Sequence, residues 1–433
     1  MLARAEALGL VAARVFTTQI GERFVARFSP NVMAAAGHGR RTPDWRGPVD
    51  PPVDVVVHFA DAPMRLYQLE QWLPVLERLA ERRSVCVLTR MISTFRRLDG
   101  GARVPVVYAN GLHDLEAVLG ELDPKVCIYV NNSFYNFQPL SWRRALHVHV
   151  NHGESDKVSM ASNQAKAYDA VFVAGEAAEQ RYRDNLIAFD GETVVRVGRP
   201  QLDFELPSPV APSGRRTILY APTWEGETHA MDYSSVRRYG PAIARALGSD
   251  ERFRVVYKPH PRVATGTRAM AEAHRETVRA LEAANRGCPE SDWNRVDDGT
   301  EVLALFSGSD ALVADVSSVA LDWLYLRTDA PLWLCDPYGD RARLERASPA
   351  AAAADVLDGE TLPRLADAIA AGLDNDARRA ARDEARRFYF GDLAPGDSMA
   401  RFLDAVDELA TRRDQLLAER RGAVGLETRA GVA

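Results

Sequence analysis

The sequence predicts an α/β protein with two Rossmann-like domains facing across a cleft, and three observations carry that expectation. Short, continuous apolar runs rich in Val and Ile alternate with helical patterns, as in parallel sheets covered on both faces. A proline-rich stretch, ELPSPVAPSGRR (205–216), interrupts the alternation, which then restarts. The conspicuous polar residues follow the apolar runs directly, where open α/β sheets hold their ligands.

In chain order, strands are expected at 53–59 (VDVVVHF), 84–90, 104–108, 125–130, 147–153 (HVHVNHG), within AYDAVFVAG and at 193–198. Between them lie a helical run MRLYQLEQWLPVLERLAERR, a helix near 112–120 and the helix EAAEQRYRDNL. After the linker, strands are expected at 217–223, 253–261, 311–315 and 331–335, with helices near 236–247, 267–286, 300–307 and 317–326 and a helical remainder. The domains so delimited are a helical, basic extension at 1–50, a Rossmann-like domain at 51–205, a second at 206–395, and a C-terminal helix with a frayed tail at 396–433.

Composition narrows the function. The 433 residues are 46% hydrophobic, enough for packed cores, and the net charge of -6 gives no basic footprint for nucleic acid. Cys86, Cys127 and Cys335 sit in apolar runs and Cys288 stands apart, with no C-x-x-C pair. That usage fits a reduced, cytoplasmic setting without disulfides. No apolar run is long enough for a membrane span, and the N-terminus lacks the uncharged core of a signal peptide. Residues 1–46 hold seven arginines against three acids. With Leu8, Leu10, Val11, Val15 and Phe16 they could form a basic helix lying on an anionic membrane at the inner face of the cell membrane. A helix docked on the protein itself is the plainer alternative.

Four strand-end motifs could carry chemistry. His152-Gly153 closes HVHVNHG: an imidazole with an ordinary pKa near 6.5 suits proton removal from a hydroxyl, and the glycine would allow a sharp turn or close approach. His147 and His149 lie within the strand and read as structural. YKPHPR places Lys258, His260 and Arg262 in one turn fixed by two prolines, a set suited to holding a pyrophosphate. In DALVADVSSVALDWLYL, Asp315 ends a strand and Ser317 and Ser318 open a helix, whose N-terminus offers phosphate-binding amides. In ILYAPTWEGE, Thr223 could bind phosphate, while Trp224 could stack on a base or fill the core. Gly198, Pro200 and Asp203 of VGRPQLD read as the hinge between domains. The chain has no P-loop, G-x-S-x-G elbow or D-x-D pair, so no metal and no cofactor are expected.

The order of these motifs resembles the CDP-glycerol:polyol-phosphate glycerophosphotransferases, a family of teichoic-acid primases and polymerases and some capsule polymerases. The matching residues are His152-Gly153 with Lys157, the run Gly198 to Asp203, Ile218 to Trp224, Lys258 to Pro261, and Asp315 to Ser318 with Asp322. The resemblance covers about 147–337. It implies a GT-B fold, a CDP-alditol donor and a lipid-linked or polymeric acceptor whose hydroxyl attacks the phosphate next to glycerol, with CMP leaving. His152 would be the base; His260 with Lys258, Ser317 and Ser318 would hold the pyrophosphate. Glu154-Ser155-Asp156 replaces the usual Thr-Pro-Leu, Glu225 the usual arginine after the tryptophan, and Val316 a common tyrosine. Two other readings stay open on these residues: a UDP-sugar glycosyltransferase or epimerase of the same fold, and a non-catalytic envelope-assembly protein.

Overall fold

A computed structural model describes residues 49–157, 160–226 and 232–430, the last without the side chains of 422–430. All lie in one compact unit that begins at residue 48. The basic helix expected within 1–46 falls outside the described residues.

Two parallel sheets form the frame. The first contains β1 (Val55–Phe59), β2 (Val85–Thr89), β3 (Val106–Tyr108), β4 (Val126–Tyr129), β5 (Leu146–His149), β6 (Ala170–Val173) and β7 (Val194–Arg196), in the spatial order 3-2-1-4-5-6-7. The second contains β8 (Arg216–Ala221), β9 (Phe253–Tyr257), β10 (Arg295–Val296), β11 (Ala311–Ala314), β12 (Leu332–Cys335) and β13 (Asp355–Leu357), in the order 10-9-8-11-12-13. Both follow the Rossmann order, with the direction of strand addition reversing beside the first strand of each sheet. Ligands bind at such switch points, beyond the carboxyl ends of the strands. In register, Val55 of β1 lies between Val85 of β2 and Val126 of β4. Every residue of β1 is buried, His58 included, which is why the run reads as almost continuously apolar.

The expected helices at 112–120, 176–186, 236–247, 267–286 and 317–326 are found at Leu112–Leu122, Glu176–Asn185, Val236–Gly248, Arg268–Ala284 and Ser318–Leu326. The run beginning at Met64 is not one helix. It breaks into Tyr67–Glu70 and Leu73–Ala80, with Pro74 near the start of the second. Proline has no N–H to continue the ladder and crowds the carbonyl four residues back. β10 and β13, two and three residues long, were not anticipated; neither has a periodicity to read.

The final helix, Asp397–Ala430, crosses back to the first sheet. Phe402, Leu403, Val406 and Ala410 enter the core formed by β1, β4 and the Leu73–Ala80 helix, with Phe402 against Trp72 and Phe172. The second sheet has separate cores on its two faces, one with Trp323 and Phe306 and one with Ile218 and Tyr257. Cys86, Cys127 and Cys335 are buried within these layers, as expected, and Cys288 is partly exposed.

Candidate functional site

The site is assembled where the carboxyl ends of β5, β8, β9 and β11 meet. After β5, Asn151 takes φ 54° and makes the turn. Asparagine tolerates that left-handed conformation better than most residues. Its Oδ1 accepts from the His152 N–H at 2.8 Å, and its carbonyl accepts from Trp72 Nε1 at 2.6 Å. Of the two roles expected for Gly153, a sharp turn or a close approach, the turn falls to Asn151. Gly153 instead lines the seam, where an added Cβ would lie 3.5 Å from both Arg199 and Ser318.

His152 and His260 come from opposite halves and meet the same residue. The Tyr67 ring lies edge-on to His152 at 6.1 Å and to His260 at 6.3 Å between centroids. Tyr67 was hidden in the amphipathic run after β1; it opens the short helix Tyr67–Glu70, and only Pro74 signals that the run is broken. Burial lowers the His152 pKa to about 4, helped by Arg199 and Lys157, while the Val130 carbonyl acts the other way. His152 Nδ1 is buried and has no hydrogen-bond partner among the described residues. Burial, with Lys157, Arg262, His152 and Lys258 nearby, lowers His260 to about 3. The Arg262 N–H donates to His260 Nδ1 at 3.1 Å, which leaves the ring proton on Nε2. Both imidazoles are therefore neutral at pH 7.

The remaining expected residues fall into two groups. Lys157 Nζ donates to Thr223 Oγ1 at 3.0 Å, reaching from the first half to the exit of β8. Its pKa falls to about 8, mainly through burial. Trp224 is partly buried on the small core of Val236, Val263 and Met270, carries the Arg262 guanidinium 3.5 Å above its ring, and lies 6.2 Å from His260. Both readings of Trp224 thus have a physical basis. Lys258 turns toward acids, with Asp297 at 3.9 Å. Ser317 does not cap the Ser318–Leu326 helix: its side chain makes no cap bond, and its buried Oγ has no partner among the described residues. The first turn of that helix therefore keeps its amides uncapped beside Gly153.

The second group braces the frame. Asp315 is fully buried and accepts from the backbone N–H of Thr223 at 2.8 Å and of Ser235 at 3.1 Å, tying the exit of β11 to that of β8. Burial raises its pKa to about 7 despite these bonds. Asp322 pairs with Arg199 at 3.0 Å, both groups buried, across the two halves. Burial pushes its carboxyl up to about 6, against the pull of Arg199. Asp203 accepts from Tyr325 Oη at 3.1 Å and from the Met399 N–H at 2.7 Å. Gly198 has φ 79°, and a Cβ there would collide with Ser398. VGRPQLD is thus the joint at which both halves and the last helix meet.

The three departures from the family pattern have local explanations in part. Glu154 and Asp156 share Arg181 at 2.6 and 3.2 Å, and Asp156 also accepts from Ser348 Oγ at 2.5 Å and Tyr389 Oη at 2.6 Å. Their charges are spent inside the protein. Glu225 accepts from the N–H and Oγ1 of Thr267 at 2.6 and 2.8 Å, anchoring the start of the Arg268–Ala284 helix. Nothing in the structure explains Val316 in place of tyrosine.

Comparison with known proteins agrees with this arrangement. Residues 144–337 match the family described as CDP-Glycerol:Poly(glycerophosphate) glycerophosphotransferase. No protein of curated function matches the chain by sequence. Among solved structures, a UDP-N-acetylglucosamine 2-epimerase candidate from Listeria monocytogenes aligns at 14% identity and TM-score 0.54, over 82% of this chain and 96% of that one. The wall teichoic acid polymerase TagF, in a CDPG soak, aligns at 14% identity and TM-score 0.52, over 90% of this chain and 98% of that one. A glycosyltransferase from Rickettsia africae aligns at 10% identity and TM-score 0.52, over 83% and 99%. At such identities these likenesses establish the two-domain GT-B fold, and the family match supplies the activity type. The motif-bearing stretch 144–337 carries the glycerophosphotransferase pattern on that fold, and the chain is a CDP-glycerol glycerophosphotransferase-like enzyme.

Proposed function

We propose that the protein transfers glycerol phosphate, or a related alditol phosphate, from a CDP-linked donor to a hydroxyl of a lipid-linked or polymeric cell-envelope acceptor. The observation that carries this reading is the meeting of two neutral histidines from opposite halves on Tyr67, next to an uncapped helix N-terminus. A pyrophosphate laid on the first turn of the Ser318–Leu326 helix would meet backbone amides and the positive end of the dipole, with the Ser317 and Ser318 hydroxyls and Lys157 beside it. Neutral His152 takes the proton of the acceptor hydroxyl as its oxygen bonds to the phosphorus next to glycerol. The bond from that phosphorus to the bridging oxygen breaks, and CMP leaves with the electron pair. His260, with its proton on Nε2, donates to the developing charge on the phosphate oxygens. Lys258 and Arg262 add positive potential, and Trp224 offers a ring face for the nucleoside.

A lipid-linked acceptor fits a further feature. Met64, Phe134, Tyr135 and Phe137 are exposed at 83%, 80%, 54% and 46% on the segments that leave β1 and β4. Among the described residues no helix is long and apolar enough to cross a membrane, so this apolar rim supports contact with a membrane surface instead. Replacing Phe134 and Phe137 by Ser should reduce co-flotation with anionic vesicles; undiminished flotation would remove this support. The transfer itself is tested by following CMP release from CDP-glycerol in the presence of polyol-phosphate primers. His152→Ala should abolish turnover while retaining donor binding, whereas unchanged turnover would refute the assignment of the base.

A further inference from the structure

We infer that Asp61, Tyr67, Gln68 and Asn131 form the seat for the hydroxyl-bearing end of the acceptor, an assignment that rests on the transferase reading above. These residues follow β1 and β4, adjacent strands at the switch point of the first sheet. Asn131 is buried and spends both amide hydrogens within the group, one on Asp61 Oδ2 at 2.8 Å and one on Gln68 Oε1 at 2.9 Å. Its own Oδ1 accepts from the Ser133 N–H at 3.3 Å. Asn131 therefore fixes which way the Gln68 amide points. Gln68 Nε2 in turn donates to Tyr67 Oη at 3.3 Å. The tyrosine oxygen is thereby an acceptor within the chain, and its own hydrogen remains to be donated.

The outer end of this chain is chemically suited to a polyol. It presents the Tyr67 O–H and the second Gln68 N–H as donors. Asp61 Oδ1 is an acceptor, engaged among the described residues only by a long 3.4 Å contact from the half-exposed Arg65. Vicinal hydroxyls both donate and accept, so they match such a mixed set, and the Asp61 carboxylate disfavours a phosphate there. The phosphates of the acceptor are directed elsewhere, and its hydroxyl end is directed here. Position completes the argument. The Tyr67 ring, at 36% exposure, touches His152 and His260 on its edges, so a hydroxyl held by this chain lies beside the base. A buried asparagine that holds the polar ends of a half-exposed pair is preorganisation for a ligand, since the ordering is done before binding.

The test uses the full chain with CDP-glycerol and short synthetic poly(glycerol phosphate) and poly(ribitol phosphate) primers, reading initial CMP release. Gln68→Ala and Tyr67→Phe should each raise the acceptor KM roughly 3- to 10-fold, the effect of one lost hydrogen bond. The donor KM should move by less than about twofold, because uniform binding of the other substrate is untouched. Gln68 is half-buried and Tyr67→Phe keeps the ring, so unchanged melting temperatures would show that both variants fold. Acceptor KM values equal to wild type would overturn the inference and leave the transferase reading standing. An equal rise in donor KM would also overturn it. Wild-type protein that releases no CMP with either primer would overturn the transferase reading and this inference together.

Discussion

His152 and His260 stay neutral because the protein removes them from water amid fixed cations, and that has a measurable consequence. A free imidazole with pKa near 6.5 loses about tenfold of its base form when the pH drops to 5.5. With the His152 pKa near 4, the base form persists through that interval. The ratio of kcat/KM for CDP-glycerol at pH 7.5 and 5.5 should therefore stay within about twofold, and a tenfold loss would contradict the described environment of His152. The residues that matter were only partly legible in the sequence. His152, His260, Thr223 and Ser318 stood out because each follows an apolar strand, and Lys157 because it matches the family pattern; the structure brings them together. Asp315 stood out because it ends a strand and Asp322 because it matches the family pattern, yet their carboxylates brace the frame through backbone amides and Arg199. Tyr67 escaped notice because its neighbours follow a helical pattern. The role of Glu154 and Asp156 escaped too, because their partners Arg181, Ser348 and Tyr389 lie 25 to 233 residues away.

Among the elements, the GRPQLD joint and the last helix hold the halves in place. Asp322→Asn would leave the Arg199 guanidinium buried without its countercharge, a loss of about 3–5 kcal/mol. Replacing both partners by apolar residues of similar size should cost much less, which chemical denaturation of the single and double variants can resolve. Equal losses would mean that the pair is not the source of the effect. The last helix makes its contribution through apolar contact: Phe402 is fully buried against Trp72 and Phe172. Phe402→Ala should cost about 3–5 kcal/mol, even though the residue lies far along the chain from the sheet it covers. A near-neutral result would show that this helix is dispensable to the first core. Strand and helix placement was largely readable because continuous apolar runs and 3.6-residue periodicity are local signals. β10 and β13 were not, since edge strands of two or three residues are too short to leave a pattern.

At the scale of the molecule, both sheets share one strand order, and their carboxyl ends supply the cleft residues. The same burial that tunes the histidines sets the response of stability to acid. His58, His149, His152 and His260 all have folded pKa values lowered to about 3 or 4 by burial. Below pH 6.5 the unfolded chain takes up protons that these folded histidines refuse, so their stabilising contribution is complete above 6.5 and declines as the pH falls. Asp315 and Asp322, raised to about 7 and 6, bind protons first in the folded state and offset part of that decline. His147 and His274 are lowered by burial too, and Asp156, Glu301 and Asp355 are raised by it. Because the unfolded-state titration of the histidines lies within this interval, these groups together predict a net fall in the urea midpoint between pH 7 and pH 5, and a flat or rising midpoint would contradict this balance. The two-domain architecture itself was legible from one proline-rich linker and a repeated alternation, but the choice of nucleotide is not written in the fold, which transferases and epimerases share. Binding of nucleotides to the purified chain addresses that choice most directly, because a ligand that binds only the native state raises its melting temperature by more the tighter it binds at a given concentration. CDP-glycerol and CMP should raise it clearly, with UDP, UMP and UDP-sugars giving little effect at the same concentration. Stabilisation by the uridine nucleotides alone would contradict the CDP-alditol account.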